Sequence, residues 1–229
     1  MTNINIEEIQ EYLKNKSIAI VGSGSCIEDK EWGKDIDSHD IVIRINNAFR
    51  NSTWQSEKYQ KYVGTRTDIY IANGDTNNKR KWAVTANKIG VKYTLRLNPG
   101  AHGSSNPSPL QHQLLKEVKN VYMAWEFKPT LSKFESEFGG RPASGAILIK
   151  WLTTYIKYKS ISLYGFDFFN EFNSLPPKWG EPAGGKIKFG KQNKYWNKFQ
   201  CSWRGVHNSK AEKKFFEKNI NKYNIKHNI

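Results

Sequence analysis

Short apolar runs separated by polar turns are the most regular pattern along this chain. Residues 17–21 (Ser-Ile-Ala-Ile-Val) and 41–45 (Ile-Val-Ile-Arg-Ile) have the length and the β-branched content of buried strands. Similar runs lie at 68–73, 91–97, 121–123 and 160–167. Apolar residues at helical spacing predict helices near the N-terminus, at 79–89, at 110–118, from Ser144 to Tyr155 and from Ser209 onward.

Strands that alternate with helices predict an α/β fold. We expect one domain over residues 1–229, with a single Rossmann-like, doubly wound and mostly parallel sheet. Ligands of such sheets bind at the carboxyl ends of the strands. The turns at 22–25, 46–47 and 73–74 are therefore expected along one rim of the sheet.

Residues 173–194 differ in composition from the rest of the chain, because prolines, glycines and lysines crowd there. A surface insertion is one interpretation of such a loop. Loops of this length are uncommon in compact domains unless they are functional or mobile, and we expect a lid over the ligand pocket. Four lysines of this loop would then screen the phosphate charge of the ligand: Lys186, Lys188, Lys191 and Lys194.

The formal net charge of +15 on 229 residues points to an acidic partner. Nucleic acid, an anionic membrane face and a phosphorylated substrate all fit this charge. A nucleic-acid-binding protein would also use the eight tryptophans. The lysines are scattered, however, and no nucleic-acid-binding motif is found, so we do not expect a nucleic-acid partner.

The turn after residue 21 is the first candidate site. Gly22-Ser23-Gly24-Ser25 follows an apolar run, and the N–H groups of such a turn suit phosphate oxygens. An NAD-dependent enzyme would use Gly22 and Gly24 with Asp37 or Asp40. Ile27, however, stands where the dinucleotide fingerprint has its third glycine.

Taken together, residues 17–68 resemble the large motif of the sialyltransferases of glycosyltransferase family 29. The matching stretches are Val21-Gly22-Ser23-Gly24-Ser25, Gly33 to Asp40, Arg44-Ile45-Asn46-Asn47-Ala48 and Val63-Gly64-Thr65-Arg66-Thr67. One difference is Ser23, which stands where the family has an asparagine that contacts the nucleotide. The resemblance implies the glycosyltransferase-A variant of the Rossmann-like fold.

Two shorter stretches resemble the small and very small motifs of the same family. The first runs from Arg141-Pro142-Ala143-Ser144-Gly145 through a helix and a strand to Tyr164-Gly165-Phe166. A plain helix capped by a serine is the alternative interpretation. The second is His207 with Glu212, just before and inside the last predicted helix. Ser209 and Glu212 also form a capping box, which explains Glu212 structurally.

The resemblance implies an inverting transferase that moves a sugar from its CMP ester to an acceptor hydroxyl. His207 would be the catalytic base. The donor-binding residues would be Gly22, Ser23, Gly24, Asn46, Ala143, Ser144, Gly145 and the aromatic pair Tyr195 and Trp196. The donor sugar would be sialic acid, with Kdo as the alternative, and the acceptor a glycan or glycolipid.

No metal and no cofactor are expected. Asp35-Ile36-Asp37 imitates the metal site of other nucleotide-sugar transferases, with two carboxylates on a turn. The resembling family needs no metal. The two cysteines, Cys26 and Cys201, and the lack of a long apolar run favour a cytoplasmic protein. Peripheral contact with the anionic inner membrane would use the positive charge.

Overall fold

The fold is built on one parallel β-sheet. The computed structural model describes residues 4–22, 25–45, 57–72, 87, 89–97, 120–139, 142–166 and 209–228. Within them, seven strands pair in the order β5-β4-β3-β2-β1-β6-β7, each parallel to its neighbours. They are β1 (Ser17–Val21), β2 (Ile41–Ile45), β3 (Ile69–Ile71), β4 (Tyr93–Arg96), β5 (Val121–Met123), β6 (Ser160–Tyr164) and β7 (Ile225–Asn228).

Helices cover both faces of this sheet. They are α1 (Ile6–Leu13), α2 (Gly33–Asp37), α3 (Glu57–Val63), α4 (Lys128–Phe138), α5 (Ser144–Tyr155) and α6 (Ser209–Asn219). On one face, Ile18 and Ile20 pack in a cluster with residues of α1, α4, α5 and α6. On the other face, Ala19 and Val21 pack with residues of α2 and α3. This arrangement confirms the predicted doubly wound α/β fold.

The element bounds agree with the sequence at most described positions and correct it at four. The motif at Gly33–Asp37, interpreted as a turn, is a short α-helix. The helices α3 and α4 and the edge strand β7 were not predicted. The lid at 173–194 and the helix at 110–118 lie outside the described residues, as does most of the helix at 79–89.

Membrane-spanning helices are not found in the described ranges: none of the helices there is long and apolar enough to cross a bilayer.

Candidate functional site

The strand order places a switch point between β1 and β6. Strands β2 to β5 extend from one side of β1, whereas β6 and β7 extend from the other. In doubly wound sheets ligands bind outside the carboxyl ends of the strands at this point. Gly22 directly follows β1, and its N–H donates to the carbonyl of Tyr164, the last residue of β6, at 2.8 Å. The predicted glycine turn therefore begins at the switch point.

Two glycines allow the chain to pass closely there. A Cβ atom on Gly22 would lie 2.6 Å from the carbonyl oxygen of Gly165. Gly165 itself has φ +69°, a left-handed conformation that side chains disfavour. Both positions therefore require glycine, and the ends of β1 and β6 lie in contact.

The N-terminus of α5 reaches the same place through Phe166. A Cβ on Gly145, in the first turn of α5, would lie 2.5 Å from Phe166 Cε1. The opposite edge of the same ring faces Gly22, whose Cβ would lie 3.1 Å from Phe166 Cε2. The structure thus brings the predicted residues Gly22 and Gly145 together, with one aromatic ring between them.

The first turn of α5 is suited to an anion. The N-cap residue is Ala143, which makes no side-chain cap, so the alternative of a serine-capped helix is wrong. No acidic residue lies in the first turn. The N–H groups of a first helical turn lack acceptors within the helix and carry partial positive charge. A phosphate or carboxylate is the ligand that such a turn favours.

Glu212 of α6 is the site residue that sequence reasoning missed. Its side chain is buried, at 3% exposure, and Oε1 accepts a hydrogen bond from the Ala143 N–H at 2.8 Å. The capping box assigned this carboxylate to its own helix, but one oxygen reaches a residue 69 positions away. Burial raises the pKa of Glu212 to about 7, although the Ala143 N–H acts to lower it. The His-x-x-x-x-Glu spacing marked Glu212 as part of a motif, but it gave no indication of the partner at Ala143.

Six of the predicted site residues lie outside the described residues. They are Ser23, Gly24, Asn46, Tyr195, Trp196 and His207. In the chain, Asn46 directly follows Ile45, the last residue of β2, which is the neighbour of β1. His207 precedes α6 by two residues.

The second half of the large motif is a clamp between α2 and the loop before β3. The Asp37 carboxylate accepts hydrogen bonds from the Thr65 N–H and hydroxyl, each at 2.8 Å, and from the Arg66 N–H at 3.1 Å. Gly64 approaches so closely that its Cβ would lie 2.5 Å from Asp37 Oδ1. Arg66 in turn donates to the carbonyl oxygens of Asp37 and His39, both at 2.8 Å.

This clamp gives the Asp35-Ile36-Asp37 motif a structural task. Asp37 uses its carboxylate to hold the loop at Thr65, and the Asp35 carboxylate lies 3.4 Å from the Tyr164 hydroxyl. Within the part of the chain that the structure describes, no group of three or more histidine, cysteine, aspartate or glutamate side chains is placed to hold a metal.

Arg44 completes the clamp from inside β2. Its side chain is fully buried and donates to the carbonyl of Val63 at 2.6 Å and to the Thr67 hydroxyl at 2.9 Å. Burial lowers the pKa of Arg44 to about 9, opposed by the Asp37 carboxylate. The guanidinium is therefore still protonated at neutral pH. This motif arginine is a structural residue and does not reach the switch point through these contacts.

A cavity of about 400 Å³ lies at the edge of the sheet opposite to the glycine turn. Its lining comes from Gln60 of α3, from the loop 65–68 before β3, and from Ile89 and Gly90 before β4. Those residues precede their strands, so the cavity opens at the amino-terminal edge of the sheet. It does not coincide with the switch point.

Comparison with known proteins supports the motif assignment over the N-terminal part. The sequence model of glycosyltransferase family 29 (sialyltransferase) matches residues 5–98. The resemblance inferred from the motifs is confirmed over that stretch, which contains the glycine turn and the clamp.

Curated relatives match a minor part of the chain, at most a third of it for the three named below. The chain is 37% identical to the β-1,6-galactosyltransferase GALT29A of Arabidopsis thaliana over 59 residues, which cover 26% of this chain and 13% of that protein. It is 39% identical to the α-N-acetylgalactosaminide α-2,6-sialyltransferase 1 of Mus musculus over 59 residues, 26% and 10% of the two chains. The human β-galactoside α-2,6-sialyltransferase 1 is 32% identical over 88 residues, 33% and 20%. The matches thus cover at most 20% of the length of these three relatives.

Solved structures share the fold over most of the chain. A complex of a variant of the sialyltransferase CST-II of Campylobacter jejuni with CMP has a TM-score of 0.59 and 16% identity, over 93% of this chain and 80% of that one. A mammalian sialyltransferase in complex with Gal-beta-1-3GalNAc-ortho-nitrophenol has a TM-score of 0.51 and 14% identity, over 99% and 74%. At these identities the likeness is one of fold.

Proposed function

We propose that this chain, which is similar to glycosyltransferase family 29 over residues 5–98, is an inverting glycosyltransferase that moves a sialic acid from CMP-sialic acid to an acceptor hydroxyl. The observation that carries the proposal is the meeting of two separate motifs at the switch point. Gly22 of the large motif and Gly145 of the small motif pack against the two edges of Phe166. The two motifs are far apart in the sequence, and they meet where ligands of doubly wound sheets bind, which supports a shared donor pocket.

The donor would lie across this junction. The N–H groups in the first turn of α5, at Ser144 and Gly145, would hold the phosphate or the sugar carboxylate. The turn Gly22-Ser23-Gly24 and Asn46 would bind the nucleotide, and Tyr195 and Trp196 would add aromatic contacts. CMP-sugar is the donor substrate in this scheme, and the reaction uses no separate cofactor.

The chemistry needs a base for the acceptor and stabilisation of the departing phosphate. Sugar transfer with inversion passes through an oxocarbenium-like transition state, and the acceptor hydroxyl must lose its proton as the bond forms. A neutral imidazole suits this task near neutral pH, and we assign it to His207. The partial positive charge at the N-terminus of α5 would favour the negative charge of the leaving CMP. No step in this scheme requires a metal.

The identity of the donor sugar can be tested directly by measuring CMP release. Two of the relatives named above are sialyltransferases and one is a galactosyltransferase, so the family alone does not fix the sugar. These relatives favour sialic acid over Kdo. The purified protein should release CMP from CMP-Neu5Ac in the presence of a galactose-terminated acceptor. Parallel reactions with CMP-Kdo and UDP-galactose are the controls, and turnover of either of them without turnover of CMP-Neu5Ac would contradict the assignment.

The acceptor would be a glycan or a glycolipid at the cytoplasmic face of an anionic membrane. Support comes from the net charge of +15 and from exposed lysines of α6 and the turn that follows it. The lysines in question are Lys213, Lys214, Lys218 and Lys222. Such a surface would hold the enzyme near its acceptor by charge attraction.

A further inference from the structure

Glu212 and the proposed donor share the N-terminal turn of α5. The Glu212 carboxylate lies 2.8 Å from the N–H of Ala143, the N-cap residue of that helix. The next two residues are Ser144 and Gly145, to which the donor anion is assigned. A carboxylate and a ligand anion would therefore lie within one helical turn of each other.

The contact has the properties of a positioning interaction. Glu212 is buried and lies on α6, whereas Ala143 precedes α5, so the hydrogen bond joins two helices that are distant in sequence. A carboxyl oxygen can accept this hydrogen bond from Ala143 whether Glu212 is ionised or protonated, so the contact can hold the turn in both states. On its other side the first turn of α5 is held by Phe166 against Gly145. The turn is thus fixed between two contacts.

The surroundings of Glu212 contain no described cation that would neutralise it. The first turn of α5 presents a serine, a glycine and an alanine. Three titratable groups on the surrounding elements contact other residues: Lys213 lies 4.0 Å from Glu217, Lys150 lies over the ring of Phe134, and His227 contacts the Phe166 carbonyl. Two further lysines of α6, Lys214 and Lys218, are exposed to solvent. Burial accordingly favours the protonated carboxyl and raises its pKa to about 7.

We propose that Glu212 positions the N-terminal turn of α5 for an anionic ligand and, when ionised, weakens the binding of that ligand by repulsion. The inference rests on the proposed function, since it takes the donor anion to bind at this turn. Thermodynamic linkage makes the effect reciprocal: an ionised Glu212 disfavours the anion, and a bound anion favours the protonated Glu212. Glu212 touches no reacting atom in this scheme and is a positioning residue.

CMP binding measured against pH tests the proposal. We expect the dissociation constant of the wild-type protein for CMP to rise by about fivefold or more between pH 6 and pH 8.5. In Glu212→Gln, which keeps the size and the hydrogen-bond acceptor, that rise should disappear and CMP should bind more tightly than to wild type at pH 8.5. Glu217→Gln, on the same helix with a side chain that is 65% exposed, is the matched control and should behave as wild type.

Each outcome is informative. A wild-type affinity that does not fall with rising pH would overturn the inference even if the variant failed to fold. An equal fall in wild type and Glu212→Gln would also overturn it, while leaving the proposed donor site intact. Absence of CMP binding at every pH would overturn both. Under the proposal, Glu212→Gln should also lower KM for the CMP-sugar at pH 8.5, with little change in kcat. A substitution that only damaged the structure would instead lower activity at every pH.

Discussion

The contact between Gly145 and Phe166 gives a quantitative test of the site geometry. A methyl group on Gly145 would place its carbon 2.5 Å from Phe166 Cε1, whereas comfortable carbon–carbon contacts are about 3.5–4.0 Å. Gly145→Ala therefore requires a shift of about 1 Å in the ring or in the helix. Overpacking of this kind costs roughly 1–3 kcal/mol. The better helix propensity of alanine offsets about 0.5–1 kcal/mol of that cost.

A double-mutant cycle separates the two contributions. Leucine has no atoms at the Cε1 and Cζ positions, so Phe166→Leu removes the atoms that would lie 2.5 and 3.2 Å from the new methyl carbon. The helix propensity term is the same in both backgrounds and cancels in the cycle. We therefore expect a coupling free energy of roughly 1–3 kcal/mol between the substitutions, with Gly145→Ala stabilising in the Phe166→Leu background.

Urea unfolding, followed by the fluorescence of the eight tryptophans, is a suitable assay. Phe138→Leu is the control substitution, because Phe138 is a buried residue of α4 and none of the three atoms nearest to the Gly145 Cβ position belongs to it. The free-energy changes of Phe138→Leu and Gly145→Ala should be additive. Additivity of Gly145→Ala and Phe166→Leu within about 0.5 kcal/mol would refute the argument that the ring fills the space beside Gly145.

Four further predictions concern the reaction, the metal, the buried carboxyl and the surface. His207→Ala should lower kcat by about 10²–10⁴-fold while CMP still binds, and near wild-type transfer would exclude His207 as the base. Activity should survive EDTA, because Asp37 is engaged by Thr65 and Arg66; loss of turnover that Mn²⁺ restores would contradict this. Because the pKa of Glu212 is raised from 4.5 to about 7, its contribution to stability is present below pH 4.5 and is lost as the pH rises through 7. Glu212→Gln should thus be more stable than wild type by about 3 kcal/mol at pH 8.5 in denaturant titrations and not at pH 4.5. Binding to anionic vesicles should fall steeply with added salt, and equal binding to neutral vesicles would remove the proposed membrane contact.

The sequence predicted the elements that carry strong apolar patterns. All six strand positions proposed from apolar runs are strands of the sheet, α5 and α6 begin where predicted, and α1 begins at Ile6, two residues after the first apolar residue of its pattern. β7 was not found, because only one clearly apolar residue, Ile225, marks its four positions. α4 had a signal in the helical spacing of Leu131, Phe134 and Phe138, all of them buried.

Roles within the motifs were harder to predict, because tertiary partners decide them. Spacing indicated that Gly33 to Asp40 and Val63 to Thr67 form one motif, but not that Asp37 holds the loop at Thr65. Glu212 has a sufficient local explanation in its capping box, so nothing local indicates its partner at Ala143. Gly22 and Gly145 are different, since a glycine beside a strand end or in a helix start already indicates close approach.

The pairing of β1 with β6 has a consequence for synthesis of the chain. Ser17 is paired with Ser160, so one edge of β1 has no partner until 143 further residues have been added. At about 5–20 residues per second the ribosome needs roughly 7–30 s for that length. During this interval the nascent chain can pair β1 with β2 but presents an open, apolar strand edge on its other side. The proposed ligand-binding crevice, although it begins at residue 22, is therefore completed late, and chaperone binding to nascent chains should decline only after β6 has emerged.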